Sequence, residues 1–243
     1  MSLRALGAAL AFLTRLPLLQ AAGAPDVPLA EAKPYFPATG LIIGVLLTVI
    51  HLAASMAGPW PAALAVLIAW VWITGALHLD GLGDVADALG AAHRDPDRFH
   101  EILRDPHAGN FAVTAIALQI AAKLVLLTAL PATAQPWAIA LIPAWARWGV
   151  LVWSAALEPL RPGLAASVSG KSSLIPTVAW TLALGAVSVA VAWPLLAAPF
   201  VVALVTLYWR QRLGGITGDC LGASIEITET ALLAALVLLY AHA

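Results

Sequence analysis

The feature of this sequence that most constrains its fold is a series of apolar stretches, each close to the length that crosses a bilayer. A transmembrane helix needs about 20 mainly apolar residues, because the hydrocarbon layer is about 30 Å thick and a helix rises about 1.5 Å per residue. The sequence therefore predicts an all-α fold, a polytopic membrane helical bundle of about seven spans. The expected spans lie near residues 38–57, 61–79, 110–130, 137–157, 175–193, 195–209 and 228–242.

Composition supports a single membrane-embedded domain over residues 1–243. The chain is 62% hydrophobic and 10% charged, whereas a soluble domain carries about 25% charged residues. The net charge of −1 argues against nucleic-acid binding and leaves membrane lipid as the expected surrounding. Cys220 is the single cysteine, so no internal disulfide forms. The oligomeric state stays open, and a homo-oligomer is one of the alternatives.

The amino terminus permits two interpretations. Residues 3–19 are apolar, but they are short for a span and contain Arg15 and Pro17. They form either a tilted span or a helix in the membrane interface. Because Arg15 interrupts the apolar run and no small-residue cleavage site follows, we expect the segment to remain in the mature protein.

Lysine and arginine are distributed unequally between the two sets of connections. The turns near residues 58–61, 131–136 and 193–194 contain none, whereas the connections 80–109, 158–174 and 210–227 contain seven. Short loops rich in these residues face the cytoplasm. We therefore predict a multi-pass inner-membrane protein with its active site on the cytoplasmic side. The seven residues are Arg94, Arg98, Arg104, Arg161, Lys171, Arg210 and Arg212.

Three aspartates follow the second predicted span. On a helix, Asp84 and Asp87 lie about 40° and −20° from Asp80, so the three carboxylates share one face. Carboxylates held this close repel each other unless a cation neutralises them, which indicates a site for Mg²⁺. The alternative is a solvated first turn of a helix.

Two further polar segments precede predicted spans. In the first, Asp105 would complete the carboxylate set and Arg104 offers a fork for a phosphate, although helix caps look similar. The second, residues 210–229, combines arginines with several glycines and is interpreted as a loop that approaches a phosphate. If a helix starts at Gly218, then Asp219, Glu226 and Glu229 fall on one side of it. The alternative is a glycine-rich linker before a capped span.

Two basic residues occur inside predicted spans, where a charge costs several kcal/mol unless it is paired or hydrated. Lys123 either reaches a carbonyl or the interface, or has a function. Arg147 is close to the cytoplasmic end and could contact a phosphate, as could Arg15.

These motifs together resemble the cobalamin synthase family. The resemblance covers nearly the whole chain in the same order and rests on 12-FLTRLP-17, 35-YFPATG-40, 78-HLDGLGDVAD-87, Arg104-Asp105 and 214-GGITGDCLGA-223. The sequence departs from the family pattern at Ala88, where glycine is expected, and at Pro106-His107, where Ser-Arg is more usual. Those departures concern details of the second loop.

The resemblance implies that α-ribazole, or its 5′-phosphate, attacks the β-phosphoryl group of adenosylcobinamide-GDP and that GMP leaves. Phosphoryl transfer needs a divalent metal, cations around the phosphates and a positioned hydroxyl. We expect Mg²⁺ as cofactor and the two small molecules as substrates. The predicted metal ligands are Asp80, Asp84, Asp87 and Asp105; the predicted catalytic residues are Asp84, Asp219 and Glu226; the predicted substrate contacts are Arg15, His78, Arg104, Arg147, Lys171, Arg212, Thr217 and Glu229.

Two other classes of membrane protein share part of this pattern. The CDP-alcohol phosphotransferases also place aspartates at the ends of spans, but their pattern has Ala-Arg shortly after the first Asp-Gly, where this chain has Asp84-Val85. A small cation-coupled transporter would carry its polar residues near the membrane midplane, whereas here nearly all lie at one edge.

Overall fold

The structure is a computed structural model that describes residues 2–16, 26–92, 99, 101–103, 107–131, 133–169 and 173–240. Three predicted site residues, Arg104, Asp105 and Lys171, lie outside the described residues, so their assignments stay predictions. The all-α prediction is confirmed for the described part of the chain, in which the one β-type contact is an isolated bridge between Pro159 and Ile216.

Eleven α-helices follow one another along the described residues, joined in places by short 3₁₀ turns. They are α1 (Leu3–Leu13), α2 (Leu29–Ala32), α3 (Phe36–Ala54), α4 (Pro59–Thr74), α5 (Leu77–Ala91), α6 (Asn110–Thr128), α7 (Ala138–Ala156), α8 (Leu164–Val168), α9 (Ile175–Val191), α10 (Ala198–Arg212) and α11 (Gly218–Tyr240).

Five helical segments in the described residues are long and apolar enough to cross a membrane, and a sixth qualifies if α4 and α5 are taken as one bent span. The protein is therefore a multi-pass membrane protein, with fewer qualifying spans than the seven expected. The apolar helix α9 is shorter than those five, and α1 has 11 residues, too few to cross a bilayer alone. The five segments are Leu29–Ala57, Asn110–Thr128, Ala138–Ala156, Trp193–Arg212 and Gly218–Tyr240.

Two predicted boundaries are wrong. The second span was expected to reach residue 79, but α4 ends at Thr74 and α5 leaves it at 85°. The cause is local, because Gly75 and Ala76 both adopt left-handed backbone angles, with φ of 61° and 57°. The last helix begins at Gly218, ten residues before the predicted start at 228, because Thr217 caps it and its polar residues find partners inside the protein.

The central helix is α7, which is buried over 89% of its membrane-length window. It packs against α3 through Gly40 and Gly44, which face the backbone of Pro143 and Ala140. A Cβ atom on Gly44 would lie 2.1 Å from the carbonyl oxygen of Ala140. Small residues four positions apart let two membrane helices approach this closely.

One end of the bundle, which we call the polar end, carries α5, α8 and the start of α11. Helices α5 and α11 pack closely there, since a Cβ on Gly81 would lie 2.9 Å from the Asp219 carbonyl oxygen. The segment after α7 also pairs with the segment before α11. The Ile216 amide donates to Glu158 (2.9 Å), and the Leu160 amide donates to Ile216 (3.0 Å).

Candidate active site

A cavity of about 110 Å³, open to solvent on one side, lies where α5 and α11 meet at the polar end. Its polar wall contains His78, Asp80 and Asp219. The remaining wall is mainly apolar and comes from α1, α3, α7 and α8, with Phe12 and Phe36 stacked on each other at 6.0 Å. The cavity can therefore hold an amphipathic ligand that presents charge to α5 and α11 and an apolar surface to the other helices.

Asp80 and Asp84 lack protein partners. Among the described residues neither carboxylate forms a hydrogen bond or an ion pair. Asp80 is exposed and Asp84 is half-buried. The burial of Asp84 and the nearby charges of Asp80, Asp219 and Asp87 all oppose its ionised form, and Arg161 favours it. This surplus of negative charge is the electrostatic condition for binding a cation.

Asp219 faces the same cavity but has a partner. Its Oδ2 accepts a hydrogen bond from Nη2 of Arg161 at 2.6 Å, and each side chain is 25% exposed. From the sequence alone, Arg161 is identified only as one of the positive charges that mark the cytoplasmic loops. Its position directly after a predicted span could have marked it as a candidate for the site. The pairing with Asp219, however, depends on the contact between Pro159 and Ile216, which no local sequence pattern indicates.

Asp87, the third aspartate, caps a neighbouring helix. Its Oδ2 accepts from the Gly109 amide (2.6 Å) and its Oδ1 from the Ala112 amide (3.0 Å), at the start of α6. Gly109 allows this approach, because a Cβ there would lie 2.7 Å from Oδ1. The carboxylate thus satisfies amides that the helix itself leaves unpaired and complements the positive end of the helix dipole.

A second polar cluster, which we call the buried network, lies inside the helices. Lys123 donates to Glu226 (2.7 Å) and Glu229 (2.5 Å), and Arg147 pairs with the other oxygen of Glu229. Nη2 of Arg147 lies 3.3 Å from Nδ1 of His78. The positive charges of Lys123 and Arg147 balance the negative charges of Glu226 and Glu229, so these four groups bury no net charge. Together with His78, they connect the helices α5, α6, α7 and α11.

The structure therefore separates carboxylates that the sequence places on one side of a helix. Glu226 and Glu229 lie 7 and 10 residues after Asp219 on α11, or about 10 and 15 Å along its axis. Asp80 and Asp219 line the cavity, and Asp84 lies one turn from Asp80 on α5. Glu226 and Glu229 instead contact Lys123, and Glu229 also pairs with Arg147.

The remaining predicted contacts are placed as follows. Thr217 is buried and its Oγ1 accepts from the Cys220 amide at 3.2 Å, so it caps α11. Arg15 is exposed and lies against the bend after α4, where its backbone amide donates to Ile73 (2.7 Å). Arg212 is half-buried at the end of α10, and its side chain forms no hydrogen bond within the described residues.

The unpaired carboxylates of α5 fit Mg²⁺ better than a metal that needs a full protein cage. In the described part of the chain, no group of three or more His, Cys, Asp or Glu side chains is arranged to hold a metal. Mg²⁺ usually binds one or two carboxylates and completes its shell with water and substrate phosphates. Asp80 and Asp84, which are unpaired, suit that arrangement.

Fold and site define a polytopic α-helical membrane protein with an acidic cavity at one end. The chain belongs to the cobalamin-5-phosphate synthase family, whose sequence profile matches residues 5–237.

Relatives share the sequence over nearly their full length. Adenosylcobinamide-GDP ribazoletransferase of Thiobacillus denitrificans is 46% identical, over 95% of this chain and 94% of its own. The proteins of that name from Laribacter hongkongensis (46% identical, 95% of each chain) and Novosphingobium aromaticivorans (45% identical, 93% and 92%) are similar as well. No solved structure matches this chain.

Proposed function

We propose that this protein is an adenosylcobinamide-GDP ribazoletransferase. In the reaction, a hydroxyl oxygen of α-ribazole or its 5′-phosphate forms a bond to the β-phosphorus of adenosylcobinamide-GDP. The bond from that phosphorus to the bridging oxygen breaks, and GMP leaves with the electron pair. The hydroxyl proton passes to a carboxylate, and the product is a cobalamin or its 5′-phosphate.

The observation that carries the proposal is the position of Asp80 and Asp219 at one cavity, with Asp84 one helical turn from Asp80, in a chain that matches this family from residue 5 to 237. Phosphoryl transfer depends mainly on positioning and on charge stabilisation around the phosphates. We assign Asp219 the role of positioning the hydroxyl and accepting its proton. The apolar wall around Phe12 and Phe36 would hold the larger, less polar part of a substrate.

Mg²⁺ is the proposed cofactor, held by Asp80 and Asp84. When bound, it would neutralise charge on the diphosphate. The unpaired state of both carboxylates and the repulsion between them support this assignment. We further propose that the polar end faces the cytoplasm, because the sequence segments that adjoin α5, α8 and the start of α11 (80–109, 158–174 and 210–227) contain the seven Lys and Arg residues.

The test is a reaction of the purified protein in detergent or nanodiscs with adenosylcobinamide-GDP, α-ribazole and Mg²⁺. We expect GMP and the cobalamin to appear in equal amounts, and no product without α-ribazole. Formation of GMP without a cobalamin would indicate a hydrolase, and the absence of both products would refute the proposal. CDP-diacylglycerol with an alcohol acceptor serves as the control donor and should give no product.

A further inference from the structure

Arg161 has spare hydrogen-bonding capacity at the edge of the cavity. An arginine has five N–H donors in a planar fork, and Nη2 of Arg161 donates to Asp219 at 2.6 Å. Within the described residues, its other N–H groups donate to no partner. Its side chain is 25% exposed, so those donors can reach a ligand that enters from the polar end.

The backbone holds Arg161 at this place. Two hydrogen bonds join Glu158 and Leu160 to Ile216, which puts Arg161 one residue beyond the paired segment. The pairing needs Gly215, because a Cβ there would lie 2.4 Å from the Glu158 carbonyl oxygen. The glycine-rich segment therefore has a structural role, because Gly215 lets the segments around Glu158 and Ile216 lie side by side.

The charges around Arg161 are unbalanced. The negative charges of Asp80, Asp87 and Asp219 all disfavour ionisation of the neighbouring Asp84. Arg161 is the described cation whose charge favours it. A diphosphate that entered with its own negative charge would be repelled by the carboxylates. It would be attracted by a guanidinium that turned away from Asp219, since Arg recognises phosphate oxygens through two parallel hydrogen bonds.

We propose that Arg161 is the counter-ion of Asp219 in the free protein and turns to a phosphate oxygen when a diphosphate binds. The exchange releases Oδ2 of Asp219 from Arg161 when the substrate is in place, leaving the long hydrogen bond from Thr217 (3.5 Å). The proposal rests on the proposed function only for the identity of that substrate. The ligand class is an organic or inorganic diphosphate. Arg161 is a substrate-binding residue in this scheme, and its partner Asp219 becomes available to the acceptor hydroxyl.

The test measures binding of inorganic diphosphate by calorimetry, with Mg²⁺ present throughout. Arg161→Gln should weaken binding at least about tenfold, the range of a charge-assisted hydrogen bond. Asp219→Asn removes the competing carboxylate and should tighten binding about two- to fivefold, the range of a partly exposed ion pair. In the Arg161→Gln background, Asp219→Asn should have no effect, because the guanidinium through which it acts is gone.

Controls separate this exchange from a general change of charge or fold. Arg210 is an exposed arginine that donates to the backbone carbonyl of Ala156 at 3.1 Å, so Arg210→Gln should leave diphosphate binding unchanged. Arg161→Lys keeps the charge but loses the fork, and it should weaken binding less than Arg161→Gln. It also serves as the test if the glutamine variant does not fold.

Four outcomes would overturn the proposal: no diphosphate binding by the unmodified protein, unaltered binding in Arg161→Gln, weaker binding in Asp219→Asn, or the same tightening by Asp219→Asn in both backgrounds. The transferase assay on the same samples keeps the two hypotheses apart. Diphosphate binding with the expected pattern but without GMP formation would refute the proposed function and support the exchange. GMP formation with unaltered diphosphate binding in Arg161→Gln would support the proposed function and refute the exchange.

Discussion

Arg147 donates a hydrogen bond through Nη1 to Oε1 of Glu229, and both side chains are completely buried. The pair joins α7, the central helix, to α11, which carries Asp219 to the cavity. Removing one partner of such a buried pair strongly destabilises the folded protein, because the remaining charge has no water to solvate it. The buried network is therefore a structural support that lies beside the site.

The first prediction concerns the pair itself. Glu229→Gln should lower the free energy of unfolding by about 3–5 kcal/mol, because Arg147 then stays buried with its charge unbalanced. Replacing both members, as Arg147→Met with Glu229→Met, should recover part of the loss and leave Lys123 paired with Glu226. Thermal unfolding in detergent measures both. Glu31→Gln, an exposed site, is the control, and an equal loss there would contradict the assignment.

The second prediction concerns the unpaired aspartates. Asp84→Asn keeps the side-chain shape but removes a negative charge, so kcat/KM should fall at least about tenfold and more Mg²⁺ should be needed for half-maximal activity. Asp80→Asn should behave alike. GMP release at a series of Mg²⁺ concentrations measures the effect. Asp26→Asn, an exposed aspartate in the linker, should match the unmodified protein.

The third prediction separates Asp87 from its neighbours. Because its two oxygens accept from Gly109 and Ala112, Asp87→Ala should lower the free energy of unfolding by about 1 kcal/mol or more, as loss of a helix cap does. Asp87→Asn retains one acceptor and should be less destabilised. If Asp87→Asn instead shifted the Mg²⁺ dependence as far as Asp84→Asn, Asp87 would act as a metal ligand in addition to its capping role.

The fourth prediction concerns the contact between α3 and α7. Gly44→Ala would put a Cβ 2.1 Å from the Ala140 carbonyl oxygen, so the helices must separate, at a cost of about 1–3 kcal/mol. Gly185→Ala is the matched control, since nothing lies within 4 Å of a Cβ there. It should be neutral or slightly stabilising, because alanine favours helix over glycine. Melting temperatures of the two variants in the same detergent provide the comparison.

The fifth prediction concerns orientation. Cys220 is buried and unsuitable for labelling, so the test uses single cysteines in a Cys220→Ser background. Ser167→Cys, exposed at the polar end, should react with an impermeant thiol reagent only from the cytoplasmic side. Thr133→Cys, exposed in the turn between α6 and α7, should react only from outside. Labelling of both from one side would contradict the orientation.

The sequence by itself determined the fold class, because apolar stretches of membrane length have few folded alternatives to helices that satisfy their own backbone groups. It also identified the aspartate face of α5, because helical periodicity relates Asp80 to Asp84 within one element. Membership of the family followed from motifs that keep their order along the chain.

The tertiary structure alone decided which charges are neighbours. Periodicity puts Asp219, Glu226 and Glu229 on one side of α11, but it says nothing about what stands opposite each turn. Asp219 meets Arg161 because of the bridge between Pro159 and Ile216, and Glu229 meets Arg147 because α7 packs beside α11. Such contacts join residues 58 and 82 positions apart. They depend on how whole helices pack, which local propensity and spacing do not specify.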